Sequence, residues 1–261
     1  MEVVIVGDEL QAGSLGADII EQHVRAKPAA VIGLATGSSP LSIYRQLVDR
    51  VQAGTLSLAQ CSAFLLDEYV GLEPGHPEAY RTVIDREFLH GVDIDPANVH
   101  GLDGLAEDIP GMCGAYERTI ADAGGVDVQL LGIGTDGHIA FNEPGSSIAS
   151  RTRIKSLTGQ TRQDNARFFD GDVDRVPTLC VTQGIGTILE ARHLVLIALG
   201  ETKAEAVREL VEGPVSARWP ATALQMHRHV TVILDEGAAS RLALGDYYKE
   251  SHAAKPAWQG Y

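Results

Sequence analysis

Cysteine is scarce in this sequence: Cys61, Cys113 and Cys180 are odd in number and widely spaced, which excludes a disulfide framework and a zinc-binding repeat. Positive charge is also short. Lys and Arg total 21 against 35 Asp and Glu, for a formal net charge of −14, and such a surface repels phosphodiester backbones and anionic lipid. Neither nucleic acid nor membrane is expected as a partner. No apolar run approaches membrane-spanning length, and Met1-Glu2 runs straight into Val3-Val4-Ile5-Val6 without a basic leader, so a cytoplasmic location is the expectation. Repeats, low-complexity tracts and interdomain linkers are missing too, which leaves one domain spanning 1–261.

What the sequence does have is an alternation of short apolar runs with amphipathic segments. The runs at 3–6, 29–35, 61–66, 98–100, 126–131, 179–182, 193–199 and 231–234 read as strands. Between them, Leu15, Ile19, Ile20, His23 and Val24 share a helical face, as do Leu41, Tyr44, Leu47, Val48 and Val51 behind Pro40. Further helical stripes are Tyr80, Val83, Ile84 and Phe88, then Tyr116 and Ile120, then Ala206, Val207, Leu210 and Val211, the spacing of amphipathic helices. A helical turn or two is expected at 186–192 and a terminal helix at 238–244, with 251–261 a poorly specified tail. Strand and helix in turn imply a three-layer α/β/α Rossmann-like fold, a mostly parallel sheet with helices on both faces.

In such sheets ligands bind outside the carboxyl ends of the strands, and four groups fall there. Thr36-Gly37-Ser38-Ser39 joins a strand to a helix, a ready anion site, although a serine-capped helix is the plainer account. Asp67-Glu68 closes the third apolar run, and because neighbours on an extended segment point opposite ways, one of the two faces a given pocket. Lys203 sits in the first turn of a helix, where the macrodipole disfavours a cation by about 0.3–1 kcal/mol; a bound anion would turn that penalty into a contact.

The fourth group is the loop from Gly132 to Ser147. Gly132, Gly134 and Gly137 spell a dinucleotide pattern, but Asp136 sits inside the would-be pyrophosphate cradle and Pro144 blocks a long helix, and no acidic residue stands about twenty positions on. A catalytic loop fits better: Asp136, His138 and Glu143 supply a proton shuttle flanked by carboxylates. The same trio could instead ligate a metal, or form a polar turn around a satisfied histidine. The cradle and Lys203 suit phosphate; Asp67 and the histidine loop suit proton transfer. Covalent nucleophilic catalysis is not favoured, since no nucleophile elbow is present. Downstream, Arg151, Arg153 and Lys155, then Arg162 and Arg167, read as a solvated face, a lid around 150–175 or a second anion site.

These segments resemble a known family. Thr36-Gly37-Ser38-Ser39-Pro40, Leu66-Asp67-Glu68-Tyr69-Val70-Gly71-Leu72, His76-Pro77-Glu78, Gly134-Thr135-Asp136-Gly137-His138-Ile139-Ala140-Phe141-Asn142-Glu143-Pro144, Ser150-Arg151-Thr152-Arg153-Ile154-Lys155 and Asn165-Ala166-Arg167-Phe168-Phe169 are similar to the signature blocks of the glucosamine-6-phosphate deaminases. The resemblance runs in order from the first strand to about Asp235. It implies conversion of glucosamine 6-phosphate and water to fructose 6-phosphate and ammonia, an aldose-ketose isomerisation with amine loss that needs no cofactor and no metal. By the same resemblance Asp67 is the base at C2, His138 opens the sugar ring with Asp136 and Glu143 in support, and Thr36, Gly37, Ser38, Ser39, Arg167 and Lys203 hold the phosphate. Some members are hexamers activated by N-acetylglucosamine 6-phosphate; Ser146, Arg153, Lys155 and Ser156 match that effector site, with Ser156 where threonine is common, and Tyr247 matches its tyrosine insecurely. Rivals are a 6-phosphogluconolactonase of the same fold and the sugar-phosphate-sensing module of a transcriptional regulator. Room for an N-terminal DNA-binding domain is lacking, which argues against the latter.

Overall fold

The computed structural model describes residues 1–261 apart from the side chain of Ala257. The chain begins β1 (Glu2–Val6), α1 (Glu9–Ala26), β2 (Val31–Leu34), α2 (Leu41–Gln52), β3 (Ser62–Leu65), β4 (Asp67–Tyr69) and α3 (Tyr80–Glu87). Next come β5 (Val99–His100), α4 (Ile109–Asp122), β6 (Val128–Leu131), β7 (Arg153–Ser156), α5 (Gly159–Asn165), β8 (Leu179–Thr182) and α6 (Ile185–Ile188). The last part is β9 (His193–Ala198), α7 (Ala204–Glu212), β10 (Val230–Asp235), α8 (Glu236–Ala239) and α9 (Gly245–Ala253).

Seven of these strands form one parallel sheet in the order β1-β10-β9-β6-β2-β3-β5. β2, β6 and β9 are buried along their whole length, as expected of strands covered on both faces. The chain leaves β2 toward β3 and β5, then returns to the other side of β2 and continues through β6, β9 and β10. The sheet therefore switches direction between β2 and β6, where open α/β sheets bind their ligands. The four groups singled out in the sequence follow β9, β6, β2 and β3, four neighbours in the sheet.

Two regions differ from expectation. Asp67 is not the frayed end of β3 but the first residue of β4, which departs after Leu66 into a second sheet of order β4-β8-β7, antiparallel throughout. Of its three strands, β8 matches the expected run at 179–182, whereas β4 and β7 carry no apolar run of their own. At the other end, the helix expected over 238–244 stops at Ala239, and α9 forms from part of the sequence that carries no strong apolar stripe. The tail beyond it is held by charge: Lys255 Nζ lies 2.7 Å from Glu2 Oε2 on β1 and 3.7 Å from the centre of the Tyr261 ring. α1 also starts earlier than its apolar face, at Glu9, because the Asp8 side chain accepts from the Gln11 amide and caps the first turn.

Candidate functional site

The loop after β2 is pinned from below. The Tyr44 hydroxyl accepts from the Ala35 amide at 3.0 Å and donates to the Ala35 carbonyl at 2.7 Å, tying α2 to the end of the strand. Gly37 then takes φ +102°, a turn that an L side chain resists. No side chain caps α2 among the described residues, so the Ser38 and Ser39 hydroxyls are not spent on the serine cap that the sequence allowed. Across the β6 loop stands Lys203, at the N-terminal end of α7. Burial lowers its pKa and the charge of Arg167 lowers it further, while Asp164 and Asp136 oppose them. Two cations gathered beside a helix N-terminus make a site suited to an anion.

Asp67 and Glu68 part as adjacent strand residues must. Glu68 turns to the N-terminus of α3, where its carboxylate accepts from the amides of Tyr80 at 2.9 Å and Arg81 at 3.0 Å, and from that of Tyr69 at 2.8 Å. Asp67 faces the other way, buried beside Tyr69, Tyr80 and the β6 loop. Burial pushes its pKa well above the carboxylate range, the charge of Glu68 adds to the rise, and a hydrogen bond from the Phe141 amide works against it. Tyr80, on the apolar stripe of α3, also donates its hydroxyl to that of Tyr69 at 3.5 Å, and its ring stacks on Phe141 at 5.5 Å, so the two tyrosines form an aromatic wall beside Asp67. The Asp-Glu-Tyr segment was the only signal in the sequence that a tyrosine belonged here.

His138 is held against its backbone. A Cβ on Gly134 would lie 2.2 Å from the imidazole Cε1, so only glycine lets the ring take this place. His138 Nδ1 lies 2.8 Å from Asp136 Oδ1, which also accepts from the His138 amide at 3.2 Å, and 3.8 Å from Glu143 Oε2. Burial acts to raise Asp136, but its contacts with His138 prevail and hold the carboxyl below its usual range. Asp136, His138 and Glu143 each offer one ligand atom, all within 4.8 Å of one another, so the geometry that suits a proton relay would also accept a cation.

The segment after β7 folds over these groups. Thr158 donates its amide to Glu143 Oε1 at 3.0 Å, Thr135 Oγ1 donates to Asp164 at 2.8 Å, and Asn165 Nδ2 donates to the Tyr69 hydroxyl at 2.9 Å. Leu157, Ala166, Phe169 and Val176 pack with Tyr69, Phe141 and Cys180 in a separate small core. Arg167 lies here, near Lys203. Arg153 and Lys155 share one face of β7, and the exposed Ile154 and Ser156 share the other. Arg151 lies outside the strand and pairs with Glu117 and Glu190 instead. The Ser146 hydroxyl is buried with no partner among the described residues. Tyr247 stands apart on α9, whose packing partner is β1.

Residues 10–233 match the family model for glucosamine-6-phosphate isomerases/6-phosphogluconolactonase. The chain is 66% identical over 260 residues to a glucosamine-6-phosphate deaminase of Mycolicibacterium smegmatis, with both proteins covered in full. It is 57% identical over 260 residues to one of Streptomyces avermitilis, again over the whole of both. Among solved structures, a monomeric glucosamine-6-phosphate deaminase superimposes with a TM-score of 0.90 at 41% identity, covering 92% of this chain and 100% of that one. The 6-phosphogluconolactonase of Trypanosoma brucei has a TM-score of 0.76 at 21% identity over 93% and 98% of the two chains, a likeness of fold alone.

Proposed function

This chain belongs to the family of glucosamine-6-phosphate isomerases and 6-phosphogluconolactonases, and we propose that within it the chain is a deaminase, converting glucosamine 6-phosphate and water to fructose 6-phosphate and ammonia. The observation that carries this reading is full-length identity to deaminases, joined to a site holding a buried carboxylate and a separate histidine relay. Lactone hydrolysis needs no base at carbon; deamination through an enol does.

The phosphate is gripped by the Thr36–Ser39 loop, Arg167 and Lys203. His138, steadied by Asp136 and Glu143, takes the anomeric hydroxyl proton and returns one to the ring oxygen, opening the ring. Asp67 removes the C2 proton and delivers it to C1, while the amine nitrogen gives up one proton and O1 takes one. The resulting C2 imine adds water, and ammonia departs. A carboxyl whose pKa is raised by burial holds the abstracted proton more firmly than a free carboxylate and can hand it on to C1. The lid is the segment around 150–175, and the whole chain acts as one domain in the cytoplasm.

A second anion site, for N-acetylglucosamine 6-phosphate, falls to Ser146, Arg153 and Lys155, with Ser156 on the opposite face of β7 left outside it, at a boundary between copies if the protein assembles as a homo-oligomer such as a hexamer. The two cations on one face of β7 and the unpartnered Ser146 hydroxyl support it. The solved relative at 41% identity is monomeric, and sedimentation with and without the effector decides between the two states.

Ammonia release is measured from glucosamine 6-phosphate, with 6-phosphogluconolactone as the control. The wild type is expected to release ammonia with or without EDTA, and Asp67→Asn to retain substrate binding while losing about 1,000-fold or more in kcat. Wild-type turnover of the lactone alone would end the reading. Loss of turnover in EDTA would make the Asp136, His138 and Glu143 trio a metal site, and an active Asp67→Asn would remove the base.

A further inference from the structure

Between the two proton-transfer groups lies a side chain to which neither has been shown to owe its place. Asn142 is fully buried. Its Nδ2 donates to the Gln183 carbonyl at 2.8 Å and to the Ile139 carbonyl at 3.1 Å, and its Oδ1 accepts from Arg153 Nη1 at 3.0 Å. Both donors face carbonyl oxygens and the acceptor faces a guanidinium, so the orientation of the amide is determined by its partners.

The residues on either side of it do the presenting. The Phe141 amide donates to Thr182 Oγ1 at 3.2 Å, the strand partner of Asp67, and lies near enough to Asp67 to oppose the rise in its pKa. Glu143 faces His138. The turn from Ile139 to Asn142 is closed by the Asn142 amide on the Ile139 carbonyl at 3.1 Å and bends through Ala140 at φ +49°. A non-glycine residue in that region costs about 1–2 kcal/mol, so the turn needs outside support. The small sheet provides it: Asp67, Thr182 and Arg153 are partners in one row across β4, β8 and β7, and Asn142 is bonded to Arg153 at one end and to the Gln183 carbonyl, next after Thr182, at the other.

We infer that Asn142 is a positioning residue for the reaction, its carboxamide locking the turn that sets the Phe141 amide on Thr182, the strand partner of Asp67, and the Glu143 carboxylate against His138. The inference rests on the deaminase reading. It requires the amide itself, since an aspartate would set an oxygen against two carbonyls while keeping the contact with Arg153.

Steady-state kinetics across pH on wild type, Asn142→Asp and Arg153→Met, without effector, test it. Asn142→Asp is expected to lower kcat about 100-fold, with KM for glucosamine 6-phosphate within about threefold of wild type. A new carboxylate at 142, or loss of the charge at 153, moves the acid limb by itself, so the test is read from kcat against KM at the pH optimum of each variant. Arg153→Met, at the half-exposed edge, removes the Oδ1 anchor together with a contact to the Arg151 carbonyl and is expected to lower kcat about tenfold with KM again nearly kept. If Asn142→Asp fails to fold by circular dichroism, Arg153→Met decides. A wild-type chain that releases no ammonia sinks the deaminase reading. An active wild type with folded variants that keep its kcat, or that lose only KM, overturns the inference alone.

Discussion

Asp67 and Glu68 carry the same chemical group one residue apart and live in opposite conditions. Glu68 is buried against three amides at a helix start; Asp67 has one amide, an aromatic wall and the charge of its neighbour. Removing that charge should let Asp67 ionise more easily. Glu68→Gln is therefore expected to move the acid limb of kcat/KM to lower pH, at a cost of about 1 kcal/mol for the weakened start of α3. An unmoved limb would show that Glu68 does not act on Asp67. Stability has the opposite sign from activity here. A carboxyl whose folded pKa is raised stabilises fully only below its unfolded pKa and loses that contribution as pH rises through the folded one. Asp67→Asn should accordingly unfold at a higher temperature than wild type at neutral pH, by about 1 kcal/mol in free energy; a lower melting temperature would contradict the buried-charge account. The opposition of the two carboxylates was legible from alternation along an extended segment. Asn142 was not, because what a carboxamide does depends on carbonyls brought from residue 183, which no local pattern announces.

The small sheet and the segment above it are the elements that sequence periodicity described least well. β7, β8 and β4 come from three distant stretches, each of three or four residues, and only their antiparallel pairing gives them meaning. The segment above the site, by contrast, stands out in the sequence as a basic stretch, though which of its residues touch the site does not. Thr158, Asp164 and Asn165 do so. The Asn165 bond to the Tyr69 hydroxyl closes the segment over the aromatic wall, and a neutral hydrogen bond contributes about 0.5–1.5 kcal/mol. Asn165→Leu is expected to raise KM for the sugar phosphate about two- to tenfold with kcat nearly kept, since the reacting groups stay in place. A large loss of kcat at constant KM would mean that this segment shapes the chemistry itself.

At the scale of the molecule, the parallel sheet was readable from its alternation, and so was the gathering of ligand groups at its carboxyl edge. The opposite edge was not. There His193 is fully buried at the start of β9, its Nδ1 3.0 Å from His23 Nε2 and its Nε2 2.9 Å from Thr231 Oγ1, with the His229 ring stacked at 3.6 Å. Burial, then the charges of His229, His23, His227 and Lys255, push the His193 pKa down to about 3. His23 and His229 are lowered by burial as well, with Asp127 and Glu2 opposing. A histidine with a depressed folded pKa contributes fully above its unfolded value near 6.5 and less as pH falls below it. Urea unfolding is expected to lose roughly 2 kcal/mol between pH 7 and pH 5 from His193 alone, and His193→Gln to flatten that slope. Equal slopes in the two proteins would assign the acid sensitivity elsewhere.

The departure of the chain from the large sheet at Leu66 divides the labour of recognition between two bodies. The Thr36–Ser39 loop and Lys203 are mounted on the seven-stranded sheet, whereas Asp67 travels with the three-stranded one. Under the proposed assignment of these groups their separation gauges carbon count: a shorter aminosugar phosphate would be anchored by its phosphate and still fall short of the residue meant to reach its second carbon.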